Sequence, residues 1–512
     1  MSTDTIEYPD KIDGPVLKVA GVVVLGSIMS ILDITVVNVA LPTFQRVFAE
    51  GPTELDYSLV AWTVTAYTLA LATVIPATGW AADRFGTKRL YIAAIALFTL
   101  GSVLCAAAWD IQSLIAFRVI QGLGGGMLMP LGMTIMTRAA GPKRMGRLMA
   151  ILGIPMMLGP IGGPILGGWL IDSASWHWIF LINLPLGVGA LVYAFLVLPK
   201  DAPVPSESFD FFGMLLLSPG LAVFLFGISS IPGEGTFMSA KVLVSSTIGI
   251  VLIVAFVFHS FRPAHPLLDL RLFRDRNLTV SIITMFLFAA AFFGGLLLVP
   301  TYFQQIRGET TTMAGVLMIA QGVGAMTTMP IAGSLVDRVP VGRIIPVGLT
   351  LIIIGMFPLT QVDESTSYWI IIPALFVMGM GMGSTMMPLF TSALRSLTNA
   401  EVARGSTLLN ISQQIASSVG VAVMSVILTS HLKDSPVAGA AIQSQQDPSI
   451  IEKLGVDKIA QGLSDAASAF GSTFWVAWLL VILTVVPATF LPRKREVSHL
   501  LDDEGKEPVV IH

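Results

Sequence analysis

Two ionisable side chains of opposite sign sit inside long apolar runs. Asp33 lies in Leu32-Asp33-Ile34-Thr35-Val36-Val37-Asn38-Val39-Ala40-Leu41-Pro42, and Arg118 in Arg118-Val119-Ile120-Gln121-Gly122. A charge near a bilayer centre costs about 3 kcal/mol on insertion scales, so it is kept where it faces a cavity or has a partner. A dry carboxylate tends to hold a proton, and one beside a guanidinium tends to release it. An Asp–Arg pair whose separation changes with conformation can therefore load and discharge protons. Thr35, Asn38 and Gln121, polar neighbours on the same two runs, join Asp33 and Arg118 as candidate proton-coupling and substrate residues.

Other chemistries lack their residues. No HExxH, GxSxG or GxxxxGK[ST] occurs, so zinc hydrolysis, serine hydrolysis and direct ATP drive have no signature. Cys105 is the only cysteine, which excludes an intrachain disulfide and a cysteine-based metal site. No catalytic residue, metal or cofactor is assigned, and no enzyme activity is expected. The net charge of −3 selects no partner; nucleic acid is not among those expected.

The elements that must carry these residues are membrane helices. The chain of 512 residues is 54% hydrophobic and 12% charged, with mean hydropathy +0.80; a soluble protein carries about 25% charged residues. Apolar runs of about 20 residues, each enough to cross about 30 Å of hydrocarbon, recur throughout. Fourteen spans are expected, near 16–43, 57–81, 89–108, 111–138, 145–171, 178–198, 211–231, 240–261, 278–304, 311–336, 342–361, 367–394, 404–431 and 469–492. The acidic stretch 1–10 lacks the basic region of a signal peptide, so the first span is expected to be retained.

Lys and Arg set the orientation. With the N-terminus inside, 22 of them fall on the cytoplasmic side and six outside. Both termini are expected in the cytoplasm.

The chain also repeats itself. Gly79-Trp80-Ala81-Ala82-Asp83-Arg84-Phe85-Gly86 after span 2 matches Gly333-Ser334-Leu335-Val336-Asp337-Arg338 after span 10, 254 residues on. Gly122, Gly124 and Gly126 in span 4 match Gly379, Gly381 and Gly383 in span 12, 257 on, and Leu41-Pro42 matches Val299-Pro300, 258 on. Such agreement marks an internal duplication. The plan is a tail (1–14), a six-helix half (15–200), a two-helix insert with its basic connector (201–276), a second six-helix half (277–492, with an external segment near 432–468) and a tail (493–512). Parallel halves of this kind place a substrate site between them near the midplane.

Two further motifs are dense. Gly79-x-x-x-Asp83-Arg84-x-Gly86-x-Lys88-Arg89 combines turn-forming glycines with an acid suited to a helix N-terminus. Span 5 carries Gly159-Pro160-Ile161-Gly162-Gly163-Pro164-Ile165-Leu166-Gly167-Gly168; glycines four apart let helices approach closely, and Pro164 is expected to bend the span at the contact between the halves. Trp176-His177-Trp178 leads into span 6 as an interfacial anchor. Met156, Met157, Met380, Met382, Met386 and Met387 suit an adaptable wall or ordinary packing.

On these motifs the chain resembles the major facilitator superfamily, and within it the fourteen-span multidrug:proton antiporter branch. The resemblance implies an all-α polytopic membrane protein of major facilitator fold, with two pseudo-symmetric halves plus the insert. It implies proton-driven export of lipophilic neutral or monocationic compounds by alternating access. An exporter of an endogenous lipid or metabolite would present the same residues. It also implies that Gly79, Asp83, Arg84, Gly86, Asp337 and Arg338 act as a conformational latch and that Arg118 takes part in proton coupling. Gly159, Gly163, Pro164, Gly167 and Gly168 would form the antiporter motif. The implied partners are protons, small lipophilic substrates and membrane lipids, in the plasma membrane, the inner membrane of a bacterium; the oligomeric state is left open, with a monomer expected. Relatives usually carry Arg where this chain has His177.

Overall fold

In the computed structural model, residues 12–49, 55–200, 208–398, 401–444 and 449–494 are described, and their regular elements are all helical. The first half holds α1 (Gly14–Val47), α2 (Tyr57–Phe85), α3 (Thr87–Ala106), α4 (Ile111–Ser173), α5 (Trp178–Leu181) and α6 (Asn183–Val197). The insert holds α7 (Phe211–Glu234) and α8 (Ala240–Ser260). The second half holds α9 (Arg276–Gln305), α10 (Thr311–Val336), α11 (Val341–Met356), α12 (Tyr368–Gly383), α13 (Met386–Arg395), α14 (Val402–Asp434), α15 (Ala438–Ser444), α16 (Ser449–Leu454) and α17 (Val456–Ala488).

Sequence signals set many of the ends. Asp13 caps α1 by accepting from the Val16 amide at 3.2 Å, Asp110 and Ser113 form a capping box on α4, and Asp275 caps α9. Gly86, at φ 90°, makes the turn between α2 and α3, a conformation that disfavours a side chain.

The helical run of α4 covers 63 residues, which laid out straight would reach about 95 Å at 1.5 Å per residue, about three times the hydrocarbon thickness. Its neighbours show how it fits. Along α1, Arg118 meets Asp33 and Gly132 meets Val23, whereas Gly159 meets Ile31 and Gly167 meets Val36. The first arm therefore runs against α1 and the second runs with it. The run doubles back between Gly132 and Gly159 and crosses twice. Thirteen helical stretches are long and apolar enough to span among the described residues, Ile111–Ala140 among them. The second arm of α4 makes the fourteenth crossing, which puts the two ends of the described chain, Ile12 and Lys494, on one face, the termini face.

The duplication is built into the packing. A side chain on Gly122, Gly124 or Gly126 would strike backbone at Tyr67, at Ala94 and Phe98, or at Leu71; one on Gly379, Gly381 or Gly383 would strike Gln321, Gly348 and Ile352, or Ala325. Every one of those partners is displaced by 254 residues and every glycine by 257. The two halves pack their equivalents of α2 and α3 on the same glycine ladder.

They differ in their fourth and twelfth spans. Span 12 was expected as one helix, but it breaks between α12 and α13 at Ser384 and Thr385. Their hydroxyls donate back to the Met380 and Gly381 carbonyls at 2.9 and 2.8 Å, competing with the helical ladder. The first half has Met127 and Leu128 there and stays continuous. Span 14 also begins earlier than expected, at Val456, and the segment before it contributes α15 and α16.

The insert lies along the seam between the halves. Phe226 of α7 stacks on Trp62 of α2, with ring centroids 5.4 Å apart. Leu217 and Leu221 of α7 share a core with Ile75 of α2 and Ile411 of α14.

Candidate functional site

The first half closes around a polar network at Asp33. On α1 the buried stripe runs Met29, Ser30, Asp33, Val36, Val37, Ala40 and Phe44, so the carboxylate points into the helix bundle. Arg118 Nη1 donates to Asp33 Oδ2 and, at 2.7 Å, to Gln121 Oε1. Gln121 Nε2 donates to Asp33 Oδ1 at 2.7 Å, so the amide bridges both members of the ion pair. Arg118 Nε donates to the Thr63 carbonyl at 3.0 Å, and its guanidinium carbon stands 4.2 Å from the Tyr67 ring centroid.

Two further residues complete the network. Asn183 Nδ2 reaches Asp33 Oδ1 at 3.5 Å and Ser102 Oγ at 3.0 Å, and Ser102 donates to the Phe180 carbonyl at 2.9 Å. The side chains of Asp33 and Arg118 are 0% exposed. At this burial a lone charge would be prohibitive, and the geometry supplies the partners that make it tenable. Arg118 Nη2 is the exception, with no hydrogen-bond partner among the described residues. A buried charged donor left over in this way weakens the locked state.

Depth follows from helix rise. Asp33 stands about 29 Å from the start of α1 and Arg118 about 10 Å from the start of α4. The network lies in the leaflet away from the termini.

Sequence expectations are met unevenly here. Asp33, Arg118 and Gln121 come together. Thr35 donates to the Leu32 carbonyl at 2.9 Å and packs against Gly163, on the face of α1 turned away from the network. Asn38 is exposed and apart from it. Ser102 and Asn183 were not expected, since a neutral polar residue in a span carries no distinguishing cost.

A second constellation lies on the termini face, where the halves meet. Asp337 Oδ1 accepts from the Gly146 amide at 2.9 Å and Oδ2 from Arg147 Nε at 3.1 Å. Asp83 stands 3.7 Å from Arg138 and 3.8 Å from Arg404. Arg404 follows Arg147 by 257 residues as Asp337 follows Asp83 by 254, so the two cross-half contacts are pseudo-symmetry mates. Thr134 and Ser406 bond at 2.9 Å beside them, and Gly79 lets α2 approach Ala403 and Arg404 of α14. The arginines expected in the latch, Arg84 and Arg338, are exposed. They adjoin the acids in sequence, but helical geometry turns them to the surface; Arg138, Arg147 and Arg404 do the pairing. The recurrence at 257 was the available signal.

The glycines of the second arm of α4 also meet something other than expected. Gly159, Gly163 and Gly167 fall on one face, and that face meets Ile31, Thr35 and Val36 of α1 within the same half. Contacts of this arm with the second half come from Gly146, Gly153 and Gly168. The motif seats the stretch of α1 that bears Asp33. The backbone stays helical through Pro164, whose side chain, like those of Met156 and Met157, lies outside the described ones. Met382, Met386 and Met387 are buried in the core, which favours packing over an open wall. Among the described residues no His, Cys, Asp and Glu cluster could hold a metal ion.

Residues 23–421 match the Major Facilitator Superfamily. A multidrug resistance protein B homolog of Mycobacterium tuberculosis (strain ATCC 25618 / H37Rv) is 48% identical over 507 residues, covering 96% of this chain and 93% of its own length. A putative multidrug resistance protein MdtD of Pectobacterium carotovorum subsp. carotovorum (strain PC1) is 32% identical over 422 residues, 82% of this chain and 88% of its own. Among solved structures, the human organic anion transporter MFSD10 (TETRAN) superposes with a TM-score of 0.61 at 16% identity, covering 92% of this chain and all of its own. The proton:xylose symporter XylE bound to 6-bromo-6-deoxy-D-glucose gives 0.57 at 16%, covering 95% and 98%. At that identity the likeness is one of fold.

Proposed function

The chain belongs to the major facilitator superfamily, and on that premise we propose that it is a proton-driven exporter of lipophilic neutral or monocationic compounds, of multidrug type. The relatives called multidrug resistance proteins support the cargo class. The bias of Lys and Arg supports a cytoplasmic location for the termini face. On this reading the latches at Asp83 and Asp337 hold the cytoplasmic side shut.

The observation that carries the proposal is the asymmetry of the two halves. The pair Asp33 and Arg118, bridged by Gln121, has for its repeat equivalents Ala291, Leu375 and Met378. One half carries a titratable core and the other an apolar one. A single carboxylate supports one exchanged proton per cycle. Asp33 takes up a proton, the pair with Arg118 loosens, and Gln121 and the Thr63 carbonyl remain to satisfy the guanidinium while the halves rock. Return of the proton to the cytoplasm restores the pair.

A proton moving down roughly 150 mV supplies about 3.5 kcal/mol, enough for a gradient of a few hundredfold in a neutral cargo at about 1.4 kcal/mol per decade. A monocation exchanged for one proton moves no net charge and draws only on the pH difference. Dye efflux from proteoliposomes under a potential alone and under a pH gradient alone separates the two; efflux with neither contradicts the proposal.

A further inference from the structure

The motif around Trp176 is expected as an interfacial anchor, but only Trp178 is exposed while Trp176 is buried, and its surroundings suggest another role. Between the Asp33 network and the face away from the termini lies an unbroken apolar mass. Phe180 is its inner layer, with its ring centroid 5.9 Å from the Arg118 guanidinium. Phe44 stacks on Phe180 at 6.3 Å, Trp176 stands edge-on to Phe44 at 5.6 Å, and Phe48 meets Trp176 at 5.3 Å. Val60, Leu114 and Leu170 fill the flanks of the same core. Phe44 and Phe180 are 0% exposed and Trp176 is 6%.

All of these residues belong to the first half. A rocking motion of one half against the other breaks contacts between the halves and keeps the apolar packing inside each. The route from outside straight down through the first half therefore stays shut in both access states, whereas the seam between the halves opens and closes with the cycle. We infer that the Phe44–Trp176–Phe180 stack is a proton plug: it restricts water reaching Asp33 to the seam that substrate also uses, and so keeps proton flow tied to transport. This rests on Asp33 being the proton carrier.

The expected result of breaching the plug is a leak. Removing the Phe180 ring leaves a space beside polar groups that water can enter. Asp33 could then take up a proton from external water through the breach and release it through the seam as the halves rock, with no cargo moved. The same breach in a protein without the carboxylate should pass nothing.

The test uses the full-length protein in proteoliposomes with a trapped pH-sensitive dye, an imposed pH gradient and no cargo. Phe180→Ala should dissipate the gradient on the order of tenfold faster than the unaltered protein, about 1.4 kcal/mol off the barrier. Adding Asp33→Asn should return the decay to the unaltered rate, and Phe180→Leu should stay tight. Phe44→Ala, on another helix, repeats the test should Phe180→Ala fail to insert. A folded variant that does not leak overturns the plug, as does a leak that survives Asp33→Asn. Ethidium-driven proton movement by the unaltered protein is read in parallel. If that exchange works and no leak appears, the plug alone falls; if that exchange is absent, the proton-coupled reading falls.

Discussion

Replacing Arg118 by methionine removes the charge that makes a buried Asp33 tenable. Both side chains are 0% exposed, so water cannot substitute for the lost partner. Breaking a buried ion pair from one side costs about 3–5 kcal/mol. Here Gln121 Nε2 at 2.7 Å and Asn183 Nδ2 at 3.5 Å still donate to the carboxylate, which places the expected loss near the lower end, about 3 kcal/mol. Asp33→Asn with Arg118→Met removes both charges and should recover all but roughly 1 kcal/mol of that loss, giving a coupling energy of about 2 kcal/mol or more. Denaturant unfolding of the four proteins in detergent measures it. A coupling energy near zero would mean that Asp33 is not charged beside Arg118, and the electrostatic argument would fail.

Other outcomes follow from the gate and the glycine face. Asp337→Asn should weaken the closed termini face by about 1–3 kcal/mol, since it loses a charged acceptor of two hydrogen bonds, and Arg338→Ala should change little; disulfide trapping across Thr134 and Ser406, whose hydroxyls are 2.9 Å apart, reads the difference, and equal effects would restore Arg338 to the latch. The charge exchange Asp337→Arg with Arg147→Asp should recover only the ion-pair part, because the Gly146 amide still needs an acceptor. Gly163→Leu should abolish transport by driving α1 off its seat at Thr35, with Gly189→Leu, where a side chain meets nothing within 4 Å, as the tolerated control; unimpaired transport by Gly163→Leu would show that the seat is dispensable.

How much of this was legible in the sequence depended on what leaves a local mark. Asp33 and Arg118 stood out because charges inside apolar runs are rare, and their pairing was suggested by their standing well inside spans, where the other charges lie near span ends. The duplication was legible because the repeats preserve spacing. Ser102 and Asn183 were not, because their importance comes from four helices converging on one carboxylate, and nothing in a single helix records that. Glycines four residues apart announced a close-packed face at 159–167, but not that α1 rather than the second half would occupy it. Sequence adjacency suggested that Arg84 and Arg338 stand beside the two acids, whereas a helix turns consecutive residues about 100° apart and Arg138, Arg147 and Arg404 make the ion pairs.

The most direct test compares the unaltered protein with Asp33→Asn in proteoliposomes, following dye export under an imposed pH gradient and proton movement in the same vesicles. The account predicts that the unaltered protein exchanges dye for protons and that Asp33→Asn binds dye but exchanges neither. Gradient-driven export by Asp33→Asn at the unaltered rate would contradict it.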